Sequence, residues 1–317
     1  MDKERDYSID VVAGILVIHM ILGHCIIRAK AKDLYLYNIM NYLYFFMPWF
    51  FFKSGMFYKS RQLSERLTYE GRKLGIPFLI YSIIGSIMYG VMNFLQDSFT
   101  AKQMFIKPIK ELLKEGSIMG NRPLWFLFSL FAVLIIADIL HEYKIKVAYV
   151  ITSCFLLSLM LYIIDFRHPF YLSNVITGLC FLYLGIYFKS LQYKRYIFYT
   201  CIVLYAIFCI WGLTRVDMRE NKLIEGSYIL YVPTCIFGIV SINNIVRYMP
   251  FKLRLLAYVG RNSMDFYVLH WILLYLVDIL LILFDRELSG LNLLLCYVLT
   301  EIILLPLYCS IMGIKQK

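Results

Sequence analysis

Histidines inside a long apolar segment are the residues of this chain that most demand a chemical explanation. Between Ser8 and Cys25 the sequence is almost wholly apolar, yet it carries Asp10, His19 and His24. An ionisable group in hydrocarbon is costly and marks a pathway, a site or a buried partner. Imidazole brings a specific capacity, because its neutral form can take the proton of a hydroxyl near neutral pH. Ala13 and His24 are eleven residues apart, about three helical turns, so they share a face. Asp10 lies a turn before Ala13 on that side, and His19 points well away. His24 is therefore the stronger candidate for chemistry, with a histidine bonded to a neighbouring helix as the alternative. Asp10, near the segment's start, reads as an interhelical partner rather than a base.

Two other segments carry polar groups at helical spacing. Met47, Pro48, Trp49, Phe50, Phe51, Phe52, Lys53, Ser54 and Gly55 form a continuous run. Proline frees a backbone carbonyl, Ser-Gly permits close helix approach, and Lys53 either snorkels or faces a cavity at the depth of Ala13. Further along, Ser263, Tyr267 and His270 recur at offsets of zero, four and seven, one face of a helix that Gly260 and Asn262 introduce. That stripe marks a wet cavity or an interhelical network. Glu301 and Asp278 are further acids within apolar segments that need partners, and Asp138 is expected to reach the membrane interface. Arg61, Arg66, Arg72 and Lys73, ahead of Pro77, form a basic stretch that either anchors the chain or holds phosphates. Arg122, Pro123, Leu124, Trp125 and Phe126 read as an interfacial anchor.

The elements that must position these residues are membrane helices. Of 317 residues, 61% are hydrophobic and only 17% charged, against about a quarter charged in soluble domains; mean hydropathy is +0.69. About 20 apolar residues cross a bilayer. Windows of that kind fall near 8–28, 36–58, 73–96, 122–140, 145–164, 169–189, 195–213, 226–248, 262–284 and 289–312. The fold class is thus all-α, a polytopic transmembrane bundle of about ten spans forming one integral-membrane domain over 1–317. The break at 97–121, with Lys102, Lys107, Lys110, Glu111, Lys114 and Glu115, suits an amphipathic interfacial helix. Lys and Arg favour the side holding both termini, which places the termini in the cytoplasm. The first span is read as an uncleaved anchor.

The net charge of +11 is then mostly topology. No basic stripe or RNA-binding signature points to nucleic acid. The eight cysteines, mostly within spans and without a C-x-x-C pair, read as small apolar fillers. No G-x-S-x-G elbow, P-loop or H-E-x-x-H metal signature is present, so a hydrolase, ATPase or metalloprotease has no support and no metal is expected.

These pieces in this order resemble the acyltransferase-3 family of bacterial membrane O-acyltransferases, and within it the fucose O-acetylase-like branch. The resembling residues are Arg5 to Asp10 leading to Leu22, Gly23 and His24; then Met47 to Gly55; Lys73 to Pro77; Leu124, Trp125 and Phe126; and Gly260 to His270. The match runs from residue 5 to about 312. Two departures stand out. Ala13 occupies the position where the family commonly has arginine or lysine, and Phe46 the one where the branch often has histidine. Conversely, Lys53 stands where an apolar residue is usual, and so is read as restoring the charge lost at Ala13.

The resemblance implies a bundle in the bacterial cytoplasmic membrane that takes acetyl from cytosolic acetyl-CoA to a hydroxyl of a surface polysaccharide or its lipid-linked sugar precursor. His24 becomes a general base or a transient acyl carrier. Ser263, Tyr267 and His270 would position the acceptor or stabilise the oxyanion. Glu301 would orient a base or line the acceptor path. Lys53, Ser54, Arg66, Arg72 and Lys73 would hold the donor, and Asp10 and Trp125 the acceptor. A glycan transporter or flippase, a noncatalytic subunit of polysaccharide export and a diverged inactive member are the alternatives. The oligomeric state is left open.

Overall fold

The computed structural model describes residues 6–96, 100–166, 168–189 and 191–315. Arg5, the first residue of the resemblance, lies outside them. The helices are α1 (Tyr7–Arg28), α2 (Tyr35–Met40), α3 (Phe46–Met56), α4 (Leu63–Glu70), α5 (Ile76–Leu95), α6 (Ala101–Glu115) and α7 (Trp125–Glu142). They continue with α8 (Val147–Ile163), α9 (Phe170–Phe188), α10 (Arg195–Trp211), α11 (Tyr231–Tyr248), α12 (Arg254–Arg261), α13 (Ser263–Leu283) and α14 (Gly290–Lys315).

Seven helical stretches among the described residues are long and apolar enough to cross a bilayer: 7–28, 63–95, 122–142, 171–188, 228–248, 263–283 and 290–311. Seven of the ten expected spans are thus full-length helices. Helices α8 and α10 are apolar but shorter, at 17 residues each. The expected span 36–58 is instead broken into α2, a 3-10 turn at Asn41–Leu43, and α3. Pro48 has no N–H and its ring clashes with the carbonyl four residues earlier, which disfavours continuing the helix back through that residue. Tyr44 is that earlier residue, and α3 starts just after it.

Two further differences from the sequence reading matter for the site. Leu63–Leu95 forms one helical stretch that starts ten residues before the expected 73, with a π-helical turn at Gly71–Gly75 between α4 and α5. The segment between α10 and α11, which lies between two expected spans, holds a two-stranded antiparallel hairpin, β1 (Arg215–Asp217) and β2 (Lys222–Glu225), with Asp217 opposite Lys222. The break at 97–121 does contain a helix, α6, and Ile109 and Leu113 on it are exposed.

Helix α1 is the most enclosed of the long helices, whereas α5 and α14 expose most of their apolar side chains outward. Close approach rests on glycine. A Cβ on Gly14 of α1 would stand 2.0 Å from the Leu256 carbonyl oxygen, and one on Gly260 of α12 only 1.7 Å from that of Asp10. Gly55 of α3 and Gly185 of α9 make the same kind of contact, each against a backbone carbonyl of the other helix. Small residues let membrane helices pack backbone to backbone where lipid supplies no hydrophobic driving force.

Helix α12 packs antiparallel against the start of α1, and after the turn at Asn262 helix α13 runs alongside α1 in the same direction. Three polar pairs fix its register: Arg261 Nε to Asp10 Oδ2 at 3.4 Å, His24 Nδ1 to His270 Nε2 at 2.9 Å, and Arg28 Nε to Asp278 Oδ2 at 2.8 Å. Tyr297 of α14 also donates to Asp278. Each pair joins groups that the sequence left needing partners inside apolar segments.

Candidate active site: a histidine pair between two cavities

Helices α1 and α13 bring His24 and His270 together as nearly parallel rings, with centroids 5.1 Å apart and an interplanar angle of 10°. The hydrogen bonds settle the tautomers. His270 Nδ1 lies 2.6 Å from the carbonyl oxygen of Tyr267, which can only accept, so Nδ1 carries the proton. In the neutral ring, His270 Nε2 is then an acceptor, and His24 Nδ1 donates to it at 2.9 Å. This leaves His24 Nε2 as the basic lone pair. No side chain among the described residues donates to that atom. Trp271 meets the His24 ring edge-on at 5.2 Å and supports its other side.

His24 lies on the wall of a cavity of about 370 Å³. Its wall also includes Trp125, Tyr267 and Trp271, the broken α2–α3 region at Asn41 and Tyr44, and hairpin residues Asp217 and Arg219. His19 is on that wall too, 5.1 Å from the Phe46 ring, which corrects the expectation that it only packs elsewhere. Helix geometry does separate the two histidines. The break in the second span opens space along both sides of α1, so one cavity reaches both.

A second cavity, of about 520 Å³, opens toward the end of the bundle where α1 begins. Its wall carries Lys53, Ser54, Lys59, Arg61, Arg66, Lys73 and Ser263. Met20, Met47 and Tyr267 line both cavities and form the layer where they meet. The stripe of Ser263, Tyr267 and His270 thus climbs from one cavity through the shared layer to the histidine pair.

The remaining expected residues divide by location. Arg66 lies on the second cavity's wall but is nearly saturated: Nε donates to Asp138 Oδ2 at 2.5 Å, Nη1 to Glu70 Oε1 at 3.0 Å, and Nη2 to the Lys59 carbonyl at 2.7 Å. Asp138, expected at the interface, is instead buried in this network, where it also accepts from the Tyr58 hydroxyl at 2.5 Å and the Arg61 amide at 3.2 Å. Arg72 is exposed and stands on neither wall. Asp10 is buried against Arg261, away from both cavities. Tyr267 gives its hydroxyl proton to the Pro123 carbonyl, which holds α13 to the start of α7. Glu301 is buried on α14, off both cavities, with neither carboxyl oxygen hydrogen-bonded among the described residues.

Trp271, Asp217 and Arg219 are site residues that the sequence reading missed, and Arg122, read as an anchor, lines the His24 cavity. The hairpin left one usable signal: Arg215, Asp217, Arg219, Glu220 and Lys222 crowd around Asn221, whose left-handed backbone (φ 53°) suits asparagine in a turn. Arg219 pairs with Glu115 of α6, and Arg122 stands 3.6 Å from Glu111 of the same helix. Burial pushes the Glu111 carboxyl above its ordinary range. Among the described residues no group of three or more His, Cys, Asp or Glu could hold a metal ion.

An exposed lone pair on one histidine, oriented by a second that is itself fixed by a carbonyl, is the arrangement a general base requires. No match was found among curated proteins or among solved structures. Residues 6–311 match the acyltransferase domain profile of the acyltransferase-3 family, which covers nearly the whole chain and both cavities. The chain belongs to this family of membrane acyltransferases.

Proposed function

We propose that this protein is an O-acetyltransferase of the bacterial cytoplasmic membrane, in the manner of the fucose O-acetylase-like branch. In this reading it moves acetyl from acetyl-CoA to a hydroxyl of a surface polysaccharide or its lipid-linked precursor. The observation that carries the reading is the unoccupied lone pair of His24 Nε2, set on a cavity wall beside the layer where a second, basic cavity ends. Acetyl-CoA would enter the basic cavity from the cytoplasm, its phosphates near Lys53, Lys59 and Lys73 and its thioester toward Met20 and Met47. The acceptor hydroxyl would come from the other cavity, beside Trp125.

The chemistry follows from the tautomers. His24 Nε2 takes the hydroxyl proton as the oxygen attacks the thioester carbonyl. The C–S bond breaks, the sugar oxygen keeps the acetyl group, and the thiolate recovers the proton from the imidazolium. His270 holds the His24 ring in the reactive tautomer and shares the positive charge while it lasts. Acyl transfer first to His24 Nε2 uses the same lone pair and is an equivalent route.

The test is transfer of radiolabelled acetyl from acetyl-CoA to membrane glycan, comparing wild type with His24→Ala. The variant should insert and fold normally yet lose transfer by at least about 10²-fold. Full transfer by that variant removes His24 from the chemistry. Movement of glycan across the membrane without labelling would instead favour a flippase.

A further inference from the structure

Resting on the reading of the His24 cavity as the acceptor site, we infer that the acceptor carries an anionic group, a phosphate or a carboxylate, which Arg122 and Arg219 bind on the wall of that cavity. Both residues line the cavity with His24, and they come from separate elements, the turn that leads into α7 and the hairpin.

The two arginines are incompletely used by the protein. Arg219 Nη2 is paired with Glu115, but its Nε is buried and has no hydrogen-bond partner among the described residues. A buried N–H without an acceptor carries its full desolvation penalty, which a ligand oxygen would remove. Arg122 reaches Glu111 only at 3.6 Å and makes no side-chain hydrogen bond among the described residues. The acid on the same wall, Asp217, is turned inward: its Oδ1 accepts from the Arg219 and Glu220 amides at 2.9 and 3.3 Å. Two guanidinium forks with open donors suit a group with several acceptor oxygens. Elsewhere the wall is aromatic, with Trp125, Trp271 and Tyr44, which suits a sugar ring between the anion and His24.

Two sources could supply such an anion, the diphosphate of a polyprenyl-linked sugar or the carboxylate of an acidic sugar. Calorimetric titration of the purified full-length protein in detergent separates them, and it reads binding without requiring acetyl transfer. The probes are farnesyl diphosphate against farnesol, and methyl glucuronide against methyl glucoside. At least one anionic probe should bind about tenfold or more tightly than its neutral counterpart, and Arg122→Gln and Arg219→Gln should each remove most of that difference. If Arg219→Gln fails to fold, Arg122→Gln carries the test, since its side chain is half-exposed. Equal binding within each pair, no binding of either anion at millimolar concentration, or unchanged preference in folded variants overturns the inference. Those results leave the assignment of His24 untouched, because that assignment is read from acetyl transfer alone.

Discussion

Arg28 and Asp278 close the seam between α1 and α13 with two guanidinium N–H groups on one carboxylate oxygen, the Nε contact at 2.8 Å. The pair lies one turn beyond the His24–His270 contact on α1. Its guanidinium carbon also stands 5.3 Å from the Trp271 ring and 4.3 Å from that of Tyr275. Trp271 in turn supports His24. The pair therefore positions the base through an aromatic platform. Asp278→Asn leaves a permanent cation beside that platform. Because both partners are partly exposed, the expected loss of stability is smaller than for a fully buried pair, about 1–3 kcal/mol. The turnover number should fall while the KM for the acyl donor holds, as Trp271 loses its anchor. Denaturation in detergent and steady-state kinetics measure both. Full activity in a destabilised Asp278→Asn would show that the pair serves the fold alone.

The second prediction isolates His270. In His270→Ala the Nδ1–H of His24 loses its acceptor, and the ring is no longer held in the tautomer that exposes Nε2. Turnover should drop by about 10²-fold or more with little change in the KM for the donor. His270→Gln, whose amide oxygen can accept the same proton, should recover part of the loss. Equal loss in both variants would point to packing rather than to tautomer control.

The histidine pair also shows how far the sequence was legible. Helical spacing placed Ser263, Tyr267 and His270 on one stripe and put His24 on the same face as Ala13, because α-helical geometry in a membrane is nearly fixed. Nothing in the spacing of one helix says which other helix it meets, so the contact between His24 and His270 had no local signal. Asp10 and Asp278 were read as acids in need of partners, and the fold supplies Arg261 and Arg28, whereas Asp138, read as reaching the interface, is buried against Arg66. Hydropathy windows could not see the break in the second span. Its residues are mostly apolar, with Asn38 and Asn41 at the break, so the window average passes over the point where the helix is interrupted ahead of Pro48. The hairpin was lost for the opposite reason: a short charged stretch between two spans reads as a loop, and its pairing is set by tertiary contacts such as Arg215 with Asn41 at 2.5 Å.

A third prediction concerns Arg66, which sequence grouped with the phosphate-binding cations. Its ion pair with Asp138 is buried on both sides and carries hydrogen bonds from two further groups. Asp138→Asn leaves Glu70 still paired with the guanidinium and should therefore cost less than the full loss of a buried pair, about 1–3 kcal/mol. The triple variant Arg66→Met, Glu70→Gln and Asp138→Leu, which leaves no buried charge behind, should recover most of that stability. If the role is structural, the triple variant also keeps its affinity for coenzyme A, measured by calorimetry on the purified protein. A large loss of coenzyme A binding in a stable triple variant would return Arg66 to the donor site.

The last prediction tests whether Lys53 replaces the cation missing at position 13. Lys53 lines the basic cavity, with Nζ 5.4 Å from the Trp49 ring centroid, so its charge is where the donor's phosphates are proposed to lie. Ala13 is fully buried and stands on neither cavity wall, although Val17 and Met20, on the same face of α1, do line the basic cavity. An arginine at 13 would have to extend past Val17 to reach it. Ala13→Arg alone should thus destabilise by about 1–3 kcal/mol through overpacking and add a second cation near the first. Lys53→Leu alone should raise the KM for acetyl-CoA by about tenfold, the loss of one charge-assisted contact. If the two positions exchange one charge, the combined variant should have a KM well below that of Lys53→Leu. An unchanged KM in Lys53→Leu would end the exchange idea, whatever the double variant does. A raised KM that Ala13→Arg cannot lower would keep Lys53 as a donor-site cation of this chain's own.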